Sequence, residues 1–255
     1  MSKKAIFGDG GKEHEASIRL FVEALLAAGA AVECTAGQAN YLGNVLRMRA
    51  GQHVLVFNGR DGEWLAEITA MKRSAAVLTA REQVRPQAEG PDLHYLFAPL
   101  KKARLDYMVQ KATEMGASVL RPVMTRRTNA ERVNLERMRA NVVEAAEQCG
   151  VLRVPEVLAP VKLEAALGDW EPGRALIFAD EAAAVASPLE VLRGVPQGPA
   201  ALLIGPEGGF DDAERQMLLG LPFVHAVSLG PRIMRADTAA VAALALMNAV
   251  LGDWR

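Results

Sequence analysis

The sequence predicts two domains: a small β-rich domain, then a larger α/β domain built on a parallel sheet. Three observations predict this. Short β-like runs bounded by turn residues crowd residues 31–84. The stretch Arg85-Pro86-Gln87-Ala88-Glu89-Gly90-Pro91 places two prolines and a glycine within seven residues, which breaks helix and strand alike. Beyond it, apolar runs alternate with amphipathic helical stretches, the pattern of a parallel sheet covered on both faces. The expected domains are residues 17–85 and 93–255.

Residues 1–16 have no hydrophobic period and carry Gly8, Gly10 and Gly11, so they read as an irregular lead-in. Ile18, Phe21, Val22, Leu25 and Leu26 recur at helical spacing, which predicts a short helix over 17–28. Strands follow at 31–35, 53–57, 64–70 and 75–80, interrupted by a helical turn near 41–48. Asn58-Gly59-Arg60-Asp61-Gly62 between two of these strands is a hairpin signal. This part reads as an antiparallel sheet or barrel of roughly 70 residues, an ordinary size for a compact domain.

After the linker, strands are expected at 94–98, 118–124, 174–179, 201–204 and 224–229. Helices are expected at 101–115, 131–149, 211–219 and 237–251. Leu105, Met108, Ala112 and Met115 form one inward stripe, and Leu135, Met138, Val142, Ala146 and Cys149 form another.

Composition excludes several classes. The 255 residues are 51% hydrophobic and 23% charged, which is globular. No apolar run approaches the roughly 18 uncharged residues of a membrane span. Met1-Ser2-Lys3-Lys4 lacks an apolar signal core, so no secretion signal is expected. Cys34 and Cys149 make no disulfide framework, which favours a reducing cytoplasm. No Cys/His spacing suits a metal. Net charge is -1, yet residues 101–132 carry +5 and the remainder -6. Such a stripe suits phosphate contacts or an ordinary solvated helix face.

Two segments concentrate the chemistry. Ile204-Gly205-Pro206-Glu207-Gly208-Gly209-Phe210 and Leu229-Gly230-Pro231-Arg232-Ile233-Met234-Arg235 each end an apolar run at Gly-Pro and lead into a helix. In open α/β sheets, ligands bind beyond the carboxyl ends of strands, and glycine removes the Cβ that would block close approach. Asp211 and Asp212 already complement the positive helix end, which disfavours a phosphate there. Neither the dinucleotide fingerprint nor a P-loop is present. Arg232 and Arg235 are suited to an anionic group, and Asp237 or Thr238 is the expected cap of the last helix. Glu144 and Gln148, four apart, share one face of the helix over 131–149.

These strings, with Glu144-Ala-Ala-Glu-Gln-Cys149, resemble the SPOUT family of RNA methyltransferases, and within it the branch that methylates N3 of a uridine in 16S rRNA. Val45-Leu46-Arg47-Met48, Gly51 and Val56-Phe57-Asn58-Gly59 are similar to that branch's PUA-like β-barrel. Lys111-Ala-Thr-Glu114-Met-Gly116 is similar to the first helix of its methyltransferase domain. The resemblance covers residues 17–250. It implies a deep trefoil knot in the C-terminal domain, a homodimer, and S-adenosylmethionine bound in a bent form. The implied cofactor walls are Leu203, Ile204, Gly205, Glu207, Gly208 and Gly209 from the first loop. Ser228, Leu229, Gly230, Ile233 and Met234 come from the second. The chain departs from the family twice. Ala236-Asp237-Thr238-Ala239 stands where Thr-Glu-Thr-Ala is common, and Val151 stands where an arginine is common.

The implied reaction is methyl transfer to uridine N3 of small-subunit rRNA. N3 is a Watson–Crick donor, so the base must be unpaired or flipped. Arg235 is the expected stabiliser of charge on the uracil oxygen, with Glu144 and Asp237 as candidate bases for the N3 proton. RNA contacts are expected from Arg19, Arg47 and Arg49 on the first domain, and from Lys101, Lys102, Arg126, Arg127 and Arg153 beyond it. The competing class is a non-catalytic ribosome-binding module whose Gly-rich domain binds no cofactor.

Overall fold

The computed structural model describes residues 18–129, 132–183 and 187–254; the side chain of Lys102 lies outside that description. So do the lead-in expected over residues 1–16 and Glu131, the expected start of a helix. The chain divides into two compact units. One is the chain through Glu89 together with Glu147–Arg153, and the other is Gly90–Ala146 with the chain from Val154 onward.

The first unit holds strands β1 (Arg19–Phe21), β2 (Ala31–Glu33), β3 (His53–Phe57), β4 (Glu63–Lys72) and β5 (Ala75–Arg85) in the order β1-β3-β4-β5-β2. Its pairs are antiparallel except β1 with β3, which corrects the expectation of a wholly antiparallel sheet. The helix expected over 17–28 is instead β1 followed by irregular chain. The reason is the open edge of β3. Leu55 N–H donates to Ile18 O at 2.8 Å and Val22 N–H to Phe57 O at 2.9 Å. Leu20 and Val22 are then buried by a two-residue alternation rather than a helical one. Tertiary pairing thus overrides a short helical pattern.

The expected hairpin joins β3 to β4. Asn58 Oδ1 accepts from the N–H groups of Arg60 and Asp61 at 3.0 and 2.9 Å, an Asx turn. Thr35 and Gln38 form a capping box on α1 (Ala36–Asn40), which runs into a π-helical turn over Tyr41–Val45.

Arg19 requires a correction. Its side chain is 9% exposed and lies 2.5 Å from Glu63, itself buried. Its guanidinium also donates to the carbonyls of Glu147 and Val151 at 3.0 and 3.2 Å and sits 4.3 Å from the centre of the Phe57 ring. A guanidinium so enclosed is a structural tie, not an RNA contact. It joins Glu147–Arg153 to the unit's sheet, as does Arg85, which donates to Gly150 O at 3.1 Å.

The second unit holds β6 (Leu93–Phe97), α2 (Lys102–Glu114), β7 (Val119–Met124), α3 (Leu135–Cys149), β8 (Glu156–Val157), β9 (Val161–Lys162), α4 (Leu163–Gly168), β10 (Ala175–Ala179), α5 (Pro188–Arg193), β11 (Ala200–Ile204), α6 (Asp212–Leu219), β12 (Val224–Val227) and α7 (Ala236–Val250). The last turn of α3 clusters with the first unit. The strand order is β12-β10-β11-β6-β7-β8, with β9 also on β7, and every pair is parallel. The sheet is covered on both faces. Tyr95, Ile177 and Leu202 join one core, whereas their neighbours Leu96, Phe178 and Leu203 join the other. β11 lies between β10 and β6 with all five residues buried, hence its unbroken apolar run.

The starts of α2 and α6 lie one residue later than expected, and those of α3 and α7 differ as well. α3 begins at Leu135, where Asn134 Oδ1 accepts from Arg137 N–H at 3.0 Å. α7 begins at Ala236, so the N-cap position falls to Arg235, which makes no side-chain capping bond. Asp237 lies in the first turn, and its Oδ1 accepts from the adjacent Thr238 N–H at 2.8 Å.

Candidate functional site

A parallel sheet delivers all its strand ends to one edge. The turns after β7, β10, β11 and β12 therefore share the carboxyl edge of the second unit. Neighbouring strands lie about 4.8 Å apart, so the β11 and β12 loops, separated by β10, start about 10 Å apart. Glu181, just beyond β10, lies between them.

The β11 loop, residues 205–211, is shaped by close packing. A Cβ on Gly205 would sit 2.5 Å from Cε2 of Phe210, whose ring meets Phe178 edge-on at 5.1 Å. Gly209 has φ +67°, and a Cβ there would meet Glu181 Oε1 at 2.9 Å. Gly209 N–H donates to Pro206 O at 2.9 Å, closing a turn. Asp211 then caps α6: Glu214 N–H donates to Asp211 Oδ1 at 2.7 Å, and Asp211 N–H donates to Glu214 Oε2 at 3.2 Å. The bond from Glu214 N–H, and then Arg126, hold the Asp211 carboxyl below its ordinary pKa.

The basic stripe meets this loop. Arg104 of α2 pairs with Glu207. Arg127 Nη1 donates to Gly208 O at 2.9 Å, and Arg126 Nη1 donates to Asp211 Oδ2 at 2.8 Å. Arg126 N–H donates to Oε1 of Glu214 at 2.8 Å, and Glu214 is 2% exposed. Sequence reasoning missed the roles of Arg104, Glu181 and Glu214. Only Glu214 had a readable signal, as the fourth residue of an Asp-x-x-Glu capping box.

The β12 loop is more open. Ser228 is buried, and its Oγ accepts from Gly230 N–H at 3.3 Å. Gly230 has φ +102°, with open space where a Cβ would project. Ile233 is 91% exposed, an apolar side chain left in solvent beside bare backbone. Arg232 and Arg235 are exposed and Asp237 is half-buried. Behind Asp237, Tyr95 is fully buried and its hydroxyl has no hydrogen-bond partner among the described residues. Burial, then the nearby Asp237 charge, raises the phenol well above its usual pKa.

The structure thus gathers the expected cofactor-wall segments and Arg235 and Asp237 at one edge of the sheet. Glu144 is exposed on α3, on the side away from buried Val142, Ala145 and Ala146. Of the expected RNA contacts, Arg47 and Arg49 are exposed on the first unit, with Arg47 at φ +57°. Lys101 is exposed at the N-cap of α2. Arg153 donates to Glu89 O at 3.0 Å. Among the described residues no cluster of side chains could hold a metal ion, and no helix is long and apolar enough to cross a membrane.

Comparison with known proteins adds three findings. Residues 88–248 match the model of an RNA methyltransferase domain, and residues 35–80 match that of an RNA methyltransferase PUA domain. Ribosomal RNA small subunit methyltransferase E of Synechocystis is 32% identical, covering 87% of this chain and 74% of that protein. Its namesake in Rickettsia conorii is 28% identical, covering 89% and 93%. Two solved structures align over most of the chain. A putative methyltransferase of Legionella pneumophila with bound S-adenosylmethionine has a TM-score of 0.83 at 30% identity, covering 92% of this chain and 98% of that one. Ribosomal RNA small subunit methyltransferase E of Neisseria gonorrhoeae, bound to S-adenosylmethionine, has a TM-score of 0.82 at 27% identity, covering 93% and 99%.

Proposed function

The chain belongs to the ribosomal RNA small subunit methyltransferase E family of RNA methyltransferases, and from that we propose that it methylates N3 of a uridine in 16S rRNA. The observation that carries the reading is the pair of glycine-bearing loops at the carboxyl edge of the parallel sheet. One is tightly packed and the other leaves bare backbone at Gly230 beside exposed Ile233. Open backbone offers amide and carbonyl partners to an adenine edge, and Ile233 offers an apolar surface to its ring. The residues present therefore fit S-adenosylmethionine, which supplies an electrophilic methyl group when bound. The reading includes the deep trefoil knot and the homodimer of the SPOUT family, and a cytoplasmic location.

In this mechanism the β12 loop and the start of α7 act on the base. The flipped uracil loses its N3 proton, and Asp237 accepts it through one carboxylate oxygen, with Glu144 as the alternative acceptor. Negative charge then spreads to the uracil oxygens, where the Arg235 guanidinium stabilises it. The exposed Arg47, Arg49 and Lys101 contact RNA phosphates, which position the target without reading its bases.

The test uses small ribosomal subunits lacking the mark. The wild type should restore reverse-transcriptase arrest at one uridine, and Arg235→Ala should bind S-adenosylmethionine normally yet lose most methylation. Unmarked subunits with the wild type would refute the activity; full turnover by the variant would refute the role of Arg235. A wild type without cofactor binding in isothermal titration would indicate a non-catalytic module instead.

A further inference from the structure

The turn after β7 carries two arginines that charge alone assigns to RNA. The geometry points to a different role, in which Arg127, together with Glu214, positions the β11 loop for the cofactor. This inference rests on the methyltransferase reading above.

The turn is itself rigid. Thr125 N–H donates to Thr128 Oγ1 at 2.9 Å, the two hydroxyls lie 2.9 Å apart, and Thr128 N–H donates back to Thr125 O at 3.1 Å. From this base it grips the loop at separate points. Arg127 donates to Gly208 O at 2.9 Å. The N–H of the same peptide unit, on Gly209, donates to Pro206 O at 2.9 Å. The peptide joining Gly208 to Gly209 is therefore held by its oxygen on one side and its hydrogen on the other. Neither residue has a Cβ, so no side chain of their own limits that peptide's rotation. Arg127 supplies the restraint that the glycines lack.

Glu214 supplies the second. It is buried, and its two oxygens accept separately: Oε1 from Arg126 N–H in the turn, and Oε2 from Asp211 N–H at the end of the loop. One carboxylate thus ties the two segments together. A buried carboxylate without such donors would be costly, so turn and loop are held in register or the tie fails as a whole. Arg126 adds its exposed pair with Asp211.

The positioning and RNA-contact roles predict opposite results for Arg127→Ala. Positioning predicts a weaker cofactor complex, by about tenfold for a lost hydrogen bond to an arginine. The KM for S-adenosylmethionine rises likewise, while kcat at saturating cofactor and the KM for subunits stay near wild type. Arg127→Lys, which keeps one donor, recovers part of the loss. RNA contact predicts unchanged cofactor affinity and a salt slope for RNA binding reduced by about one phosphate. Glu214→Gln keeps the size and weakens one of the two bonds, so it also lowers cofactor affinity. Isothermal titration with S-adenosylmethionine and RNA binding across a salt series measure both. Unchanged cofactor affinity in Arg127→Ala and Glu214→Gln overturns the inference while leaving the methyltransferase reading intact. A wild type that binds no cofactor overturns both.

Discussion

Gly205→Ala tests whether packing beneath the β11 loop sets the site. The new Cβ would stand 2.5 Å from Phe210 Cε2 and 3.0 Å from Cδ2. Carbon atoms rest at about 3.5–4.0 Å, so the ring must retreat by roughly 1 Å. Phe210 lies against Phe178 in an edge-on contact, and Phe178 is fully buried in the core below. Losing that contact costs about 0.5–1.5 kcal/mol, and overpacking in general costs about 1–3 kcal/mol. The expected loss of stability for the second unit is therefore about 2 kcal/mol. Because Phe210 and Gly205 bracket the loop, affinity for S-adenosylmethionine should fall as well. Calorimetric unfolding and cofactor titration of the full chain measure the two effects. Gly205→Ala combined with Phe210→Leu should recover part of the stability, since the smaller side chain vacates the clash. Wild-type stability and affinity in Gly205→Ala alone would refute the reasoning.

Two other perturbations probe each unit away from the site. His94 is held down to about 4 by burial and then by Arg174, against an ordinary 6.5. It is neutral at pH 7, so its 3.5 Å approach to Asp92 is not an ion pair there. A pKa lowered by folding gives stability that is present above 6.5 and lost as pH falls towards 4. The full shift corresponds to about 3 kcal/mol, reduced by the imidazole's partial exposure to about 2 kcal/mol. Urea unfolding across that range should show a shallower pH dependence in His94→Gln; an equal slope would refute it. Gly62→Ala places a Cβ 2.3 Å from Arg85 O at φ +76°. The strained backbone costs about 1–2 kcal/mol and the clash adds to it. The first unit should melt markedly earlier, and an unchanged melting temperature would count against this account.

Strong periodic signals were legible. The apolar runs at β6, β10 and β11 sit where the pattern put them, as do the stripes of α2 and α3, except that Cys149 at the end of α3 is exposed rather than inward. The two Gly-Pro junctions do lie at strand ends on one edge of the sheet. What failed was local pattern without tertiary information. Ile18 to Leu26 has helical spacing, but β3 offered an edge that β1 could pair with. β8 and β9 have two residues each, too short for any period to register. The last helix starts one residue before Asp237, and no spacing rule separates an N-cap from a first-turn acid at such a junction.

Charge was the least legible property, because a count does not say where the partners are. The +5 stripe over residues 101–132 suggests a surface for phosphate. In the fold, Arg104 meets Glu207, Lys111 meets Glu114 at 2.6 Å, Arg126 meets Asp211 and Arg127 meets the Gly208 carbonyl. Arg19, from outside the stripe, is enclosed with Glu63. Much of the apparent RNA surface is thus engaged within the protein, and Arg104, Arg126 and Arg127 are engaged by the β11 loop itself. Of the cations expected to meet RNA, Arg47 and Arg49 on the first unit and Lys101 on the second are exposed. Reversing charge at Arg47 should therefore weaken RNA binding in a salt-dependent way, whereas the same change at Arg19 should first unfold the first unit. If Arg19→Glu instead left the melting temperature intact and lowered the salt slope of RNA binding, this division between structural and RNA-facing arginines would be wrong.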